Sequence, residues 1–266
     1  MMAFSTALRM RGSRAMNALA GAAMLLCACG GTASQASDKS SSASSAQGAA
    51  VKNLAAGQLD SLPTGPVYIQ VAVFNQPAGG VIGSKKHVPG IIMEEQGVQL
   101  LEVAGSQPLD VHPGEADFLP SVTHQHANPG PSANLWYNFA LWPGSARSAP
   151  LTSPIERVAF TTPDLPAGSL PPGMYAITLQ LVTLQPHGRT QAHAYGGVDV
   201  VFVLDGSISA HADGRAAVTL NRYGASWAPQ GTGLQEVNDT GEPATFLTFV
   251  VAALGQPFES ALNRAV

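Results

Sequence analysis

The stretch that decides the fold opens His193-Ala194-Tyr195-Gly196-Gly197-Val198-Asp199 and runs on as Val200-Val201-Phe202-Val203-Leu204-Asp205-Gly206. It resumes at Gly224-Ala225-Ser226-Trp227-Ala228-Pro229-Gln230-Gly231 and closes at Asn238. A β-branched run ended by Asp-Gly, followed by glycine- and proline-punctuated segments, reads as short strands joined by tight turns. The rest of the chain repeats this texture. Strand-like runs span 68–74, 98–103, 116–119, 135–141, 175–184, 198–204, 207–212, 216–220 and 244–254, with a further one centred on 155–160. Asp213-Gly214, between two such runs, carries a type I′ hairpin signal. The only helical suggestion is a short turn at 257–262. Short strands at regular spacing predict an all-β sandwich or barrel.

Counting shows an internal repeat. Gly114 to His124 and Gly224 to Leu234 are both ten residues, and Gly114 to Asn128 and Gly224 to Asn238 both fourteen. Without a gap Phe139 falls on Phe249 and Leu141 on Val251. Upstream, His87-Val88-Pro89-Gly90 is set against His193-Ala194-Tyr195-Gly196.

The His-x-polar opening, the run ending in Asp-Gly, and the Gly-x4-Pro-x-Gly stretch closing on Asn resemble the cupin family. The resemblance and the repeat together imply two tandem cupin-type jelly-roll barrels with little helix. The expected segments are a leader over 1–28, a Ser/Ala-rich tether over 29–52, barrel 1 over 53–150 and barrel 2 over 151–266.

Composition narrows the function. Only 11% of the 266 residues are charged, with 28 Gly and 20 Pro and a net charge of −4, so no basic face for nucleic acid is expected. Arg9, Arg11 and Arg14 precede an apolar run, 15–26, that ends Leu26-Cys27-Ala28-Cys29. This resembles a bacterial lipobox with Cys29 as the lipidated residue, which implies a chain tethered by lipid in the cell envelope, at the outer membrane facing the periplasm. Removing the leader takes three of 13 basic residues, leaving 10 against 17 acidic, or −7. Cys27 and Cys29 are the only cysteines, so the domain has neither disulfides nor thiolate chemistry.

In metal-dependent cupins two His and a Glu of the first motif join one His of the second. Residues i and i+2 of a strand face one side, so a His-x-His pair can reach one ion. Barrel 1 offers His124 and His126 in that spacing, His87 as the upstream imidazole, and Glu94 or its neighbour Glu95 as the carboxylate. This set implies one divalent transition metal: Fe, Mn, Zn, Ni or Cu. His112, before Pro113-Gly114, reads as a turn residue. In barrel 2, Tyr195 and Leu234 stand where histidines are expected. His193, Tyr195, Asp199 and His187 therefore read as a polar pocket. Trp136 and Tyr137 are adjacent on a strand, so one of the two is expected to face a core. Two functions remain open: a tethered small-molecule-binding protein, or a metal-dependent enzyme of oxygenase or isomerase type with its metal in barrel 1.

Overall fold

The computed structural model describes residues 46–148, 151, 153, 155–165, 170 and 173–266. The leader, Cys29 and the tether up to residue 45 lie outside these. Nineteen strands account for most of the described chain, and the helical structure among them is one 3₁₀ turn at Gly144–Ala146.

Strand alternation explains the layering. In β9 (Asn134–Pro143), Trp136 and Ala140 point one way while Tyr137, Phe139 and Leu141 point the other, and all five are buried. A strand buried on both faces lies between two cores. The first core is the interior of barrel 1, where Ala72, Phe74, Ile82, Ile92, Leu101, Val111, Leu119 and Trp136 pack together. The second lies between the barrels and joins Ile69, Val71, Tyr137 and Phe139 of the first to Ile177, Leu179, Phe202 and Phe249 of the second. Phe139 and Phe249 face each other there with ring centroids 5.5 Å apart. The Trp136–Tyr137 pair thus fills two cores, not one.

Barrel 1 pairs the sheet β10-β2-β9-β4-β7 with the sheet β3-β8-β5-β6. Its strands are β2 (Val67–Gln76), β3 (Val81–Lys86), β4 (Gly90–Gln96), β5 (Gln99–Val103), β6 (Leu109–Val111), β7 (Ala116–Leu119), β8 (Thr123–Ala127), β9 and β10 (Glu156–Thr161). Barrel 2 is one ten-stranded sheet curled on itself: β15-β14-β17-β11-β18-β13-β16, with β1 against β11 and with β12 against β17 and β19. These strands are β1 (Gln47–Leu59), β11 (Tyr175–Arg189), β12 (His193–Tyr195), β13 (Gly197–Asp205), β14 (Ser207–Ala212), β15 (Val218–Asn221), β16 (Ala225–Ala228), β17 (Leu234–Val237), β18 (Ala244–Ala253) and β19 (Glu259–Ala261).

Two strands cross the boundary expected at 150/151. β1 precedes barrel 1 in sequence but pairs along β11 of barrel 2, from Ala49↔Leu184 to Leu59↔Tyr175. β10 follows barrel 1's last strand and pairs back on β2, with Glu156 opposite Phe74. Residues 47–52, expected in the tether, are therefore in a strand. Their mostly small side chains mislead because a ladder needs only backbone donors and acceptors, and β11 supplies those.

Three local expectations also change. The 257–262 segment holds strand β19 (Glu259–Ala261), paired with β12, and no helical turn. The Asp213-Gly214 connection spans the five residues between β14 and β15, and Asp213 is used by Arg264 and by the Gly233 N–H. The repeat register slips by one at β7. Gly114 N donates to Glu94 O, and Tyr223 N donates to Val203 O, so Gly114 matches Tyr223 and not Gly224. Both adopt the left-handed conformation, φ 78° and 66°. The register recovers by Asn128 and Asn238. Each side-chain amide donates to three carbonyls that hold the adjoining turns, and each Oδ1 accepts an N–H two residues on.

Candidate functional site

The barrel-1 histidines do converge. On β8 exposure alternates, with His124 and His126 buried and Thr123 exposed between barrel and solvent. The His124 and His126 rings are 4.8 Å apart, His87 and His124 4.8 Å, and His87 and His126 6.3 Å. A bulge in β3 between Ile82 and Lys85 sets the inward side, so that Lys85 pairs with His124. Lys85 therefore joins the cluster, and its ammonium acts on all three imidazoles. Burial, then His124 and Lys85, lower the His87 pKa to about 4; burial first of all lowers His124 and His126 as well. All three are neutral at pH 7. His124 Nδ1 lies 3.2 Å from the Val122 carbonyl, while His126 Nδ1 is buried without a partner.

Glu94 lies opposite Trp136 in the ladder. It is 1% exposed, both carboxylate oxygens lack partners, and burial alone raises its pKa to about 8. Glu95 is turned outward, accepting from the Tyr137 hydroxyl and pairing with Arg222 at 3.0 Å. The space beside the imidazoles is taken by a stack: Phe74 on Trp136 at 3.9 Å, and Trp136 on His126 at 4.6 Å. Among the described residues no group of three or more His, Cys, Asp or Glu is placed to hold a metal ion. A lysine ammonium beside the imidazoles and a carboxyl kept uncharged by burial both work against one. As these side chains stand, they do not fit a resident divalent cation.

Barrel 2 is arranged differently. Leu234 is opposite His193 in the ladder, and Glu236, two residues on, faces inward at the place of His126. His193, Tyr195, Glu236, Thr248, Gln180 and Thr190 line a cavity of about 180 Å³, with Glu259 at its rim and Ala49 and Val51 of β1 along one wall. Thr190 Oγ1 donates to Glu236 at 2.9 Å and accepts from the Glu236 N–H at 3.0 Å. His193 and Tyr195 meet edge to face at 4.8 Å. His193 Nδ1 lies 2.8 Å from the Gln191 carbonyl, and its Nε2 is buried without a partner. Asp199 is 2% exposed; burial, then Glu236, push its carboxyl well above the usual range. Burial and the three carboxyl groups of Asp199, Glu236 and Glu259 likewise push the Tyr195 hydroxyl up. His193 and Tyr195 share the lining of this cavity, while Asp199, whose carboxyl acts on Tyr195, lines a separate hollow of about 60 Å³ with Leu234 and Glu236. His187 does not join them: it is exposed near the end of β11, with φ 59°. Two larger hollows, of about 350 and 420 Å³, are open and lie where β1 and its following loop run over barrel 1, away from both interiors.

No family model and no curated protein matches the sequence. Solved structures do match. A Bacillus subtilis oxalate decarboxylase, whose Mn(II) centres have been characterised, superposes with TM-score 0.54 at 12% identity, over 77% of this chain and 79% of its own. An oxalate decarboxylase studied for a switch in reaction specificity gives 0.53 at 13%, over the same shares. The fold is a tandem cupin barrel. AerE from Microcystis aeruginosa also aligns, with TM-score 0.49 at 11% identity, over 75% of this chain and 98% of its own. At such identities the tandem cupin fold is what the comparison establishes, and the site residues speak for themselves.

The sequence reading missed Lys85, Glu156 and Glu236. Glu156 is buried on β10 and acts on Lys85. Only the exchanged strand brings it to barrel 1, so no spacing rule would have found it. Glu236 was within reach, since it lies 110 residues after His126 in the counted repeat.

Proposed function

We propose that this tandem cupin is an envelope-tethered protein that binds a small molecule in barrel 2. The observation that carries the reading is the cavity of about 180 Å³ beside His193, a 3%-exposed imidazole whose Nε2 has no partner. Buried polar atoms in folded proteins are nearly always satisfied, and an orphan on a residue that lines a cavity is accounted for by a bound group. Barrel 1, filled by its Phe74–Trp136–His126 stack, serves as the scaffold against which barrel 2 packs. The tether is the lipid on Cys29, supported by the basic, apolar and Leu-x-Ala-Cys order of the leader.

A second reading has one observation in its favour, the convergence of His87, His124 and His126. It is a metal-dependent enzyme with its centre in barrel 1, as in the Mn(II) decarboxylase of like fold. Elemental analysis of the full chain, purified without a His tag, separates the two. The binding reading expects less than stoichiometric metal. One equivalent of a transition metal, lost on His124→Ala and kept on His193→Ala, would overturn it.

A further inference from the structure

We infer that the barrel-2 cavity takes a small organic ammonium compound, held through its N–H groups. The inference rests on the reading of barrel 2 as the ligand pocket and adds the chemical class. Its first support is the donor and acceptor inventory of the lining. None of the lining side chains is Lys or Arg, while Glu236 and Glu259 present carboxyl groups. With Nδ1 directed to the Gln191 carbonyl, His193 leaves Nε2 as a buried ring nitrogen without a partner, which in the Nδ1–H tautomer is an acceptor. The cavity therefore asks for donors, and asks for them beside carboxyl oxygens.

An organic anion would meet those carboxyls and no compensating cation, which is the costliest arrangement inside a barrel. A neutral alcohol could give one hydrogen bond but would leave the remaining acceptors without donors. A primary ammonium gives three donors, enough for His193 Nε2, Glu236 and a third acceptor among Gln180, Thr190 and Thr248. Glu236 is held for this role by Thr190, which bonds its carboxylate and its backbone N–H. The Tyr195 ring, on the same wall, adds an aromatic face of the kind that attracts cations. At about 180 Å³ the space falls below that of drug-sized pockets, so the ligand carries only a short apolar part. Phe246 and Val182, also in the lining, receive it.

The barrels make the contrast internal to one molecule. Where barrel 2 has Glu236 and His193 facing its cavity, barrel 1 has His126 and the cation Lys85. Barrel 1 sets a cation, with Glu156 near it, beside its imidazoles, and barrel 2 sets carboxyl groups beside its imidazole.

The test uses the full-length chain in detergent at neutral pH, with n-propylammonium, 1-propanol and propionate as probes of similar size. Binding is followed by calorimetry and by ligand-observed NMR at millimolar probe. The expected result is preference for propylammonium over both others by about tenfold or more, with a loss of about 10- to 100-fold in Glu236→Gln and His193→Ala. The ranking of the three probes on the unmodified chain stands even if either variant fails to fold. Propionate or propanol binding as tightly as propylammonium, and weakened by His193→Ala, would overturn the ammonium assignment and leave the pocket reading intact. Failure of all three to bind would overturn both.

Discussion

Lys85 and His193 occupy one place in the two barrels. Lys85 pairs with His124 and His193 with Leu234, while His124 and Leu234 are themselves equivalent, each four residues before the matching Asn128 and Asn238. The same bulge precedes both residues, after Ile82 in one barrel and after Arg189 in the other. By this ladder His87 corresponds to Tyr195 and not to His193, two residues away from the match expected from the His-x-x-Gly spacing. A single equivalent position thus holds an ammonium among imidazoles in barrel 1 and an imidazole among carboxyls in barrel 2. That exchange is what makes the two interiors chemically unlike.

Glu94 should make the protein lose stability as pH rises. Its folded pKa is about 8 against 4.5 for the free group, so above 4.5 the unfolded chain releases a proton that the folded chain keeps. The stability is whole below about pH 4.5 and drains away up to about pH 8. Between pH 5 and pH 8 the loss at this group is on the order of 3 kcal/mol. Glu94→Gln should flatten the difference between urea unfolding curves at those two pH values. An unchanged pH slope in the variant would show that Glu94 ionises freely in the folded state.

Gly57 lets β1 lie across barrel 1. A Cβ there would stand 2.0 Å from Phe118 Cγ, on β7 of the other barrel. Gly57→Val should therefore displace β1 locally and cost about 1–3 kcal/mol, the usual range for overpacking. Limited proteolysis and amide exchange over 47–59 provide the check. Protection equal to that of the unmodified chain would mean that Phe118 moves aside without cost.

Cys29→Ala should abolish membrane partitioning if the lipid on this residue is the tether. The readout is phase separation in a detergent of low cloud point, together with the mass of the mature chain. A variant that still enters the detergent phase would exclude Cys29 as the anchor.

Much of the architecture was legible because its signal is local. The strand run at 198–204 falls within β13, because a run of branched and aromatic residues bounded by glycines favours extended backbone. The repeat was legible because Asn128 and Asn238 each tie three carbonyls, a demand that fixes residue type and spacing alike. Phe139 and Phe249 followed from counting onward from them.

What the sequence alone determined, then, is the all-β tandem repeat and the inward pairing of His124 with His126 on β8. Tertiary structure decided the rest. A bulge shifts inward and outward faces by one residue, so only the ladder shows that Lys85 joins the imidazoles. Backbone hydrogen bonds carry no sequence label, so only the folded chain shows β1 paired in barrel 2 and β10, with Glu156, in barrel 1. The orphaned Nε2 of His193 has the same origin: whether a buried nitrogen finds a partner depends on what the other strands place beside it.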